Sequence, residues 1–140
     1  MIRPATTEDI PAIVGMVERL RASVGSPLPV DALVTSRFVA ALLQSPLGWA
    51  CVVDAPGAPT GFLAASVGTA SISMLPVAVE HGWWAEQGGG MALLRGYMAW
   101  AQERGCFAVR MSTPPHNERA GAILNRCGFA VAEQAWVKVL

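Results

Sequence analysis

Lysine is almost missing from this chain. The ten basic residues include one, Lys138, and the rest are arginines. Charge of any kind is scarce: charged residues make up 14% against 53% hydrophobic. So apolar a composition excludes an intrinsically disordered chain. Ten acidic residues balance the ten basic ones. No net field draws the protein to nucleic acid or to anionic lipid, and neither a nucleic-acid nor a membrane partner is expected. Cysteine is limited to Cys51, Cys106 and Cys127, an odd number with no CxxC pair. That argues against a disulfide framework or a zinc knuckle, and no metal site is expected. Small buried thiols in a reducing compartment fit better, so a cytoplasmic location is expected. The opening Met1-Ile2-Arg3-Pro4 lacks an apolar signal core followed by a cleavage site. From Ala55 to Val79 there is no charge, but Pro56, Gly57, Pro59, Gly61, Gly68 and Pro76 interrupt the run. A membrane-spanning helix needs about 20 predominantly apolar residues, so this stretch reads as buried strands.

What is present is one domain's worth of alternating elements. The length of 140 residues suits one independent core, residues 1–140. Thr6 or Thr7 caps a helix over about residues 8–22, with Ile10, Ile13, Val14, Val17 and Leu20 at helical spacing. Gly25-Ser26-Pro27-Leu28-Pro29 connects it to a second helix. Leu33, Val34, Phe38, Ala41 and Leu42 are expected on that helix's buried face, and Ser45-Pro46 ends it. Strands follow at Trp49–Asp54 and about Thr60–Val67, joined by a type II turn with Pro56 and Gly57 at its centre. A third runs from about Pro76 to Ala85. Met91, Leu94, Met98 and Ala101, with Leu93, Tyr97 and Trp100 beside them, predict a helix with a wide apolar face. Gly105 suits the left-handed position past its end. Cys106–Ser112 reads as a strand with Phe107, Val109 and Met111 on one face. Asn117 caps a short helix that Gly128 ends, and Phe129–Leu140 supplies one or two final strands.

The segment with chemistry in it is Gln87-Gly88-Gly89-Gly90, between a strand and a helix. Glycines let backbone approach a ligand. The first N–H groups of a helix have no internal partner and point at the approaching group with the dipole's positive end. Such a place takes phosphate or pyrophosphate, supplied with charge by backbone alone. The dinucleotide pattern GxGxxG fails for want of its third glycine, and the Walker pattern fails for want of Lys-Ser or Lys-Thr.

Gln87-x-x-Gly90-x-Ala92 resembles the Q/R-x-x-G-x-G/A signature of the GNAT (Gcn5-related) N-acetyltransferases, short phage and prophage members in particular. Ile2-Arg3-Pro4-Ala5-Thr6-x-x-Asp9-Ile10 resembles that family's first strand and helix. Asn117-x-x-Ala120 followed by Cys127-Gly128-Phe129 resembles its later N-x-x-A…GF motif. The resemblance spans nearly the whole chain. It implies an α+β (α/β three-layer) domain whose mixed, mostly antiparallel central sheet has about six or seven strands, flanked by about four helices. It implies an acetyltransferase moving an acetyl group from acetyl-CoA to a primary amine on a small molecule or a protein. By position, the backbone of Trp84 and Ala85 would pair with the pantetheine arm. Amides of Gln87, Gly88, Gly89, Gly90, Met91 and Ala92 would hold the pyrophosphate, with Asn117 and Ala120 beside the cofactor's distal half.

Two departures stand out. The proline-containing turn usual before the Q/R is missing after Trp84-Ala85-Glu86. Leu124 occupies the position where many members place a tyrosine acid. The only tyrosine, Tyr97, lies mid-helix, where packing is its expected role. Together these keep open a catalytically degenerate domain that only binds CoA or a partner protein. Glu80 is the first candidate base, with His116 second because its intrinsic pKa near 6.5 suits proton transfer. Strand alternation would set Glu80, Gly82 and Trp84 on one face and His81 on the other. The apolar composition also leads us to expect a homodimer.

Overall fold

The computed structural model describes residues 1–140. Its elements are β1 (Ile2–Pro4), α1 (Ile10–Val24), α2 (Ala32–Gln44), β2 (Gly48–Val53), β3 (Gly61–Thr69), β4 (Pro76–Ala85), α3 (Gly90–Glu103), β5 (Ala108–Arg110) and α4 (Glu118–Arg126). The five strands lie in chain order, antiparallel except for the parallel pair β4–β5. Parallel neighbours need a crossover, and α3 supplies it.

Helices cover both sheet faces, which explains why β3 is buried without alternation from Gly61 to Ala65. On one face α3 sets Leu93, Leu94 and Tyr97, all 0% exposed, against Cys51, Leu63, Ala65 and Ala78. On the other, Ile13 and Met16 of α1 and Val39 and Leu42 of α2 meet Ala50, Val52, Phe62 and Ala64. The α1 start is locked electrostatically. Buried Asp9 takes a bidentate pair from Arg3 (2.7 and 2.9 Å) and the Thr6 amide (2.8 Å). The guanidinium holds this carboxyl down to about 2, despite the opposing effect of burial.

Helix positions, the Gly57 turn (φ 88) and the Gly105 terminator (φ 73) stand as the sequence predicts. Other expectations change. On α2, Leu42 is buried as expected, but Leu33, Val34, Phe38 and Ala41 are exposed, and Val39 joins Leu42 in the packing. Two apolar rows run along this helix, and only the one reaching the sheet is buried. Phe107 is exposed, because β5 is just three residues long and starts after it. Five strands form rather than six or seven, since residues 129–140 take no strand. An alternating pattern becomes a strand only by finding an edge. This segment touches β5 through an Arg110–Glu133 ion pair and otherwise leaves Val131, Trp136, Val137, Val139 and Leu140 exposed. No helix is long and apolar enough to cross a membrane.

Candidate active site

The loop from Ala85 to Gly90 is a built feature. The Glu86 amide donates to the Thr60 carbonyl (2.8 Å), tying the loop's start to the residue that precedes β3. Gly88 (φ 90) and Gly89 (φ 86) turn the chain through left-handed backbone. A Cβ on Gly89 would lie 2.6 Å from Val53 Cγ2, so only glycine fits. Gly90 differs: its φ is ordinary, and a Cβ there would meet Ala85 and Trp83 at 3.5–3.6 Å. The fold tolerates a methyl at Gly90, so the value of the bare backbone lies toward solvent. Trp83 Nε1 donates to the Gly90 carbonyl (3.1 Å) and fixes the helix start.

Along this loop the backbone N–H groups from Gln87 through Ala92 donate to nothing in the protein. The first return bond is Leu93 N to Gly89 O (3.0 Å). A row of free donors at the positive end of a fourteen-residue helix is an anion cradle.

Beside it the sheet opens. β5 pairs with β4 only along Val77–Val79, so β4 continues from Glu80 to Ala85 with no partner on that side. Glu80 crosses the gap, and its Oε2 accepts from the Ser112 amide (3.1 Å). Burial pushes the Glu80 carboxyl up to about 7, against the opposing pull of that amide and of the Arg21 charge. A cleft of about 430 Å³ lies here, lined by Arg21, Glu80, His81, Trp83, Trp84, Ser112, Thr113, Asn117 and Ala120.

The β3–β4 register slips between Ala64 and Ala65, which pair with Gly82 and Glu80 and leave His81 as a bulge. The bulge breaks the expected alternation. Glu80 shares the α3 side with Ala78 and Tyr97, while a Cβ on Gly82 would meet Phe62 and Leu20, and Trp84 packs with the α1–α2 core. His81 does face away from Glu80: its ring meets Phe38 edge-on (4.9 Å) and bonds Ser66 Oγ (2.7 Å).

The structure thus brings Glu80, Trp84, Asn117 and Ala120 into one cleft; Ala85 and residues 87–92 do not line it, and the loop is tied to the cleft wall through the Trp83–Gly90 bond. Gln87 and Ala92 are exposed, and Met91 is half-buried against the α3 core. Asn117 caps α4, its Oδ1 accepting from Ala120 N (3.1 Å). His116 does not join them. Its Nε2 bonds the Ser23 carbonyl (3.1 Å) and clips the loop before α4 to α1. Glu86 is a tie as well, held by Arg19 (2.6 Å) and Trp84 (3.1 Å). Tyr97 is fully buried and donates to the Arg110 carbonyl (3.0 Å), and Leu124 packs in the core. Neither offers a hydroxyl to the cleft. Burial raises the Cys51 thiol to about 11, which rules it out as a nucleophile at neutral pH. No three His, Cys, Asp or Glu side chains come together. Sequence reasoning missed Arg21, although its place one residue after Leu20, beside the apolar stripe of α1, points it toward the sheet.

No protein-family model and no curated protein matches the sequence. Solved structures do match its shape. A transcriptional regulator from Bacillus halodurans C-125 superposes with a TM-score of 0.78 at 18% identity, covering 100% of this chain and 99% of that one. An aminoglycoside N-acetyltransferase AAC(6')-Iy, solved in complex with CoA, gives 0.76 at 18%, covering 100% and 93%. The aminoglycoside 6'-N-acetyltransferase AAC(6')-IG from Acinetobacter haemolyticus gives 0.73 at 16%, covering 100% and 97%. At such identities the likeness is one of fold: the chain has the GNAT fold.

Proposed function

We propose that this protein is an acyl-CoA-dependent N-acyltransferase that moves an acetyl group from acetyl-CoA to a primary amine. The observation that carries the reading is the row of unpartnered amides from Gln87 to Ala92, next to an opened sheet edge and a carboxyl near neutrality. The free edge of Trp84 and Ala85 suits the amide groups of a pantetheine arm. The cradle suits a pyrophosphate, and Asn117 and Ala120 line the far side of the same cleft. That a GNAT-fold neighbour was solved with CoA supports the assignment.

Bound acetyl-CoA would supply a thioester whose C–S bond breaks as the amine nitrogen bonds the acyl carbon, the electron pair leaving on sulfur. The chain's own task is orientation and proton removal. Glu80 takes a proton from the acceptor ammonium; a carboxyl of about 7 is well matched to that work. His116, tied to α1, positions the loop before α4 rather than moving protons. With Leu124 where a tyrosine would stand, a thiolate leaving without a side-chain acid is part of the proposal, since a thiol pKa of about 8.5 makes it a tolerable leaving group. A cytoplasmic location and a homodimer belong to the same reading, on the strength of three unpaired thiols and the exposed apolar residues of the last segment.

The deciding experiment is acetyl-CoA binding by calorimetry followed by thiol release over an amine panel. Micromolar binding with release supports the enzyme. Binding with no release on any amine favours a CoA-binding module without turnover, the reading that Leu124 supports. No binding at millimolar ligand overturns both.

A further inference from the structure

A second cavity, of about 420 Å³, shares a wall with the cleft that holds Glu80: Arg21 and His81 line both. Its volume falls in the range of small-molecule sites, about 300–1,000 Å³. It lies beneath the connector between α1 and α2, and its lining is apolar, with Leu28, Val34, Phe38 and Phe62 among its walls. These include residues of α2 that the core leaves uncovered.

Its charge is as informative as its shape. The Arg21 guanidinium takes part in none of the chain's four ion pairs and makes no hydrogen bond, while the residue's backbone carbonyl accepts from Ser26 N (3.2 Å), yet it stands where the cavities meet. Asp31, the one carboxylate on the apolar cavity, is already spent capping α2, accepting from Leu33 N (3.0 Å) and Val34 N (3.1 Å). Burial holds His81 below its ordinary pKa, so it adds no cation at neutral pH. An uncommitted guanidinium between a proton acceptor and an apolar chamber matches a ligand with three groups on one carbon: an amine, a carboxylate and a hydrophobic arm. Guanidinium binds carboxylate bidentately. A polycation such as an aminoglycoside would meet Arg21 with no acidic cluster to offset it.

We infer that the acceptor is an α-amino acid with an apolar or aromatic side chain, its amine at Glu80, its carboxylate on Arg21 and its side chain in the cavity beside Phe38. This rests on the transferase reading above and assigns its second substrate.

The test compares kcat/KM for L-phenylalanine, phenethylamine (the same molecule without the carboxylate), glycine and an aminoglycoside in a thiol-release assay with acetyl-CoA. Phenylalanine should exceed phenethylamine by at least about tenfold, as one charge-assisted contact implies, and should exceed glycine similarly. Arg21→Gln should collapse the phenylalanine-to-phenethylamine ratio toward one; a ratio cancels any effect of Arg21 on Glu80. Phe38→Ala should erode the preference over glycine. Phenethylamine or the aminoglycoside accepted as well as phenylalanine, or a ratio that Arg21→Gln leaves standing, overturns the inference. Calorimetry of phenylalanine on the CoA-saturated protein separates the two claims. Phenylalanine binding without turnover keeps the acceptor site and sinks the transferase. Turnover of other amines with no phenylalanine binding does the reverse.

Discussion

The two faces of the sheet are built from similar residues to different ends. On the α3 face every large side chain at the centre is sealed, with Leu63, Leu93, Leu94 and Tyr97 fully buried. On the α1–α2 face the helices stop short of closure, leaving Phe38 45% and Val34 63% exposed above a cavity. Hydrophobic surface contributes to stability in proportion to the area removed from water. The closed face therefore holds the molecule together and presents α3's first turn rigidly, while the open face keeps apolar surface in reserve for something else. Between them, where β4 and β5 part, lies Glu80.

Substitutions that break this contrast can be ranked. Glu80→Gln is expected to lower turnover by roughly a hundredfold or more, the scale of a lost general base, with acetyl-CoA affinity retained in calorimetry. Wild-type kcat/KM should rise as pH climbs through about 7. The same substitution has a stability readout. A carboxyl raised in the folded state contributes stability below its unfolded pKa near 4.5 and loses it as pH rises through about 7. Glu80→Gln should therefore be more stable than wild type at pH 8 and no more stable at pH 4. Normal turnover at neutral pH would remove Glu80 as the base.

Leu94→Ala, on the closed face, should cost about 2–5 kcal/mol in urea unfolding. Phe38→Ala, on the open face, should cost less than about 1 kcal/mol, in line with a substitution outside the packed core. Equal losses would erase the distinction between the faces.

Gly89→Ala forces left-handed backbone and a 2.6 Å contact with Val53. It should destabilise by about 1–3 kcal/mol. Gly90→Val, two carbons larger in the neighbouring position, should stay folded by circular dichroism and lose acetyl-CoA binding. Unchanged affinity in a folded Gly90→Val protein would overturn the cradle.

The last effect concerns Asp9, away from both faces' cores. Its carboxyl, held down to about 2 by Arg3, contributes stability above the unfolded value of 3.8 and loses it as pH falls through about 2. Asp9→Asn should flatten that acid limb and cost on the order of 2 kcal/mol at pH 6. An unchanged acid limb would place the ion pair's contribution elsewhere.

Much of this was legible in the chain before any coordinates. The glycine run, the apolar rows of α3, the Asn117 cap and the Gly105 stop are local decisions, made within a few residues by backbone freedom and side-chain spacing. Glu80 was reached through the GNAT resemblance, which implies an acidic residue in the strand before the glycines, and its raised pKa needed burial in the folded chain to appear. Less was legible wherever two distant segments had to meet. The bulge at His81 arises from how β3 and β4 pair, so alternation placed Gly82 and Trp84 on the wrong side. On α2 the spacing singled out the face of Leu33, Val34 and Phe38, and only packing on the sheet showed that Val39 is buried with Leu42 instead. His116 looked available until α1 came within bonding distance.

The sequence by itself determined the order of elements, the amphipathic α3 and a loop whose amides have nowhere internal to donate, because those follow from periods and φ angles a few residues long. Only the tertiary structure decided that β4 outruns β5, that Arg21 stands unpaired between two cavities and that residues 129–140 add no strand. Each of those depends on strand register and helix placement across tens of residues, which no local pattern encodes.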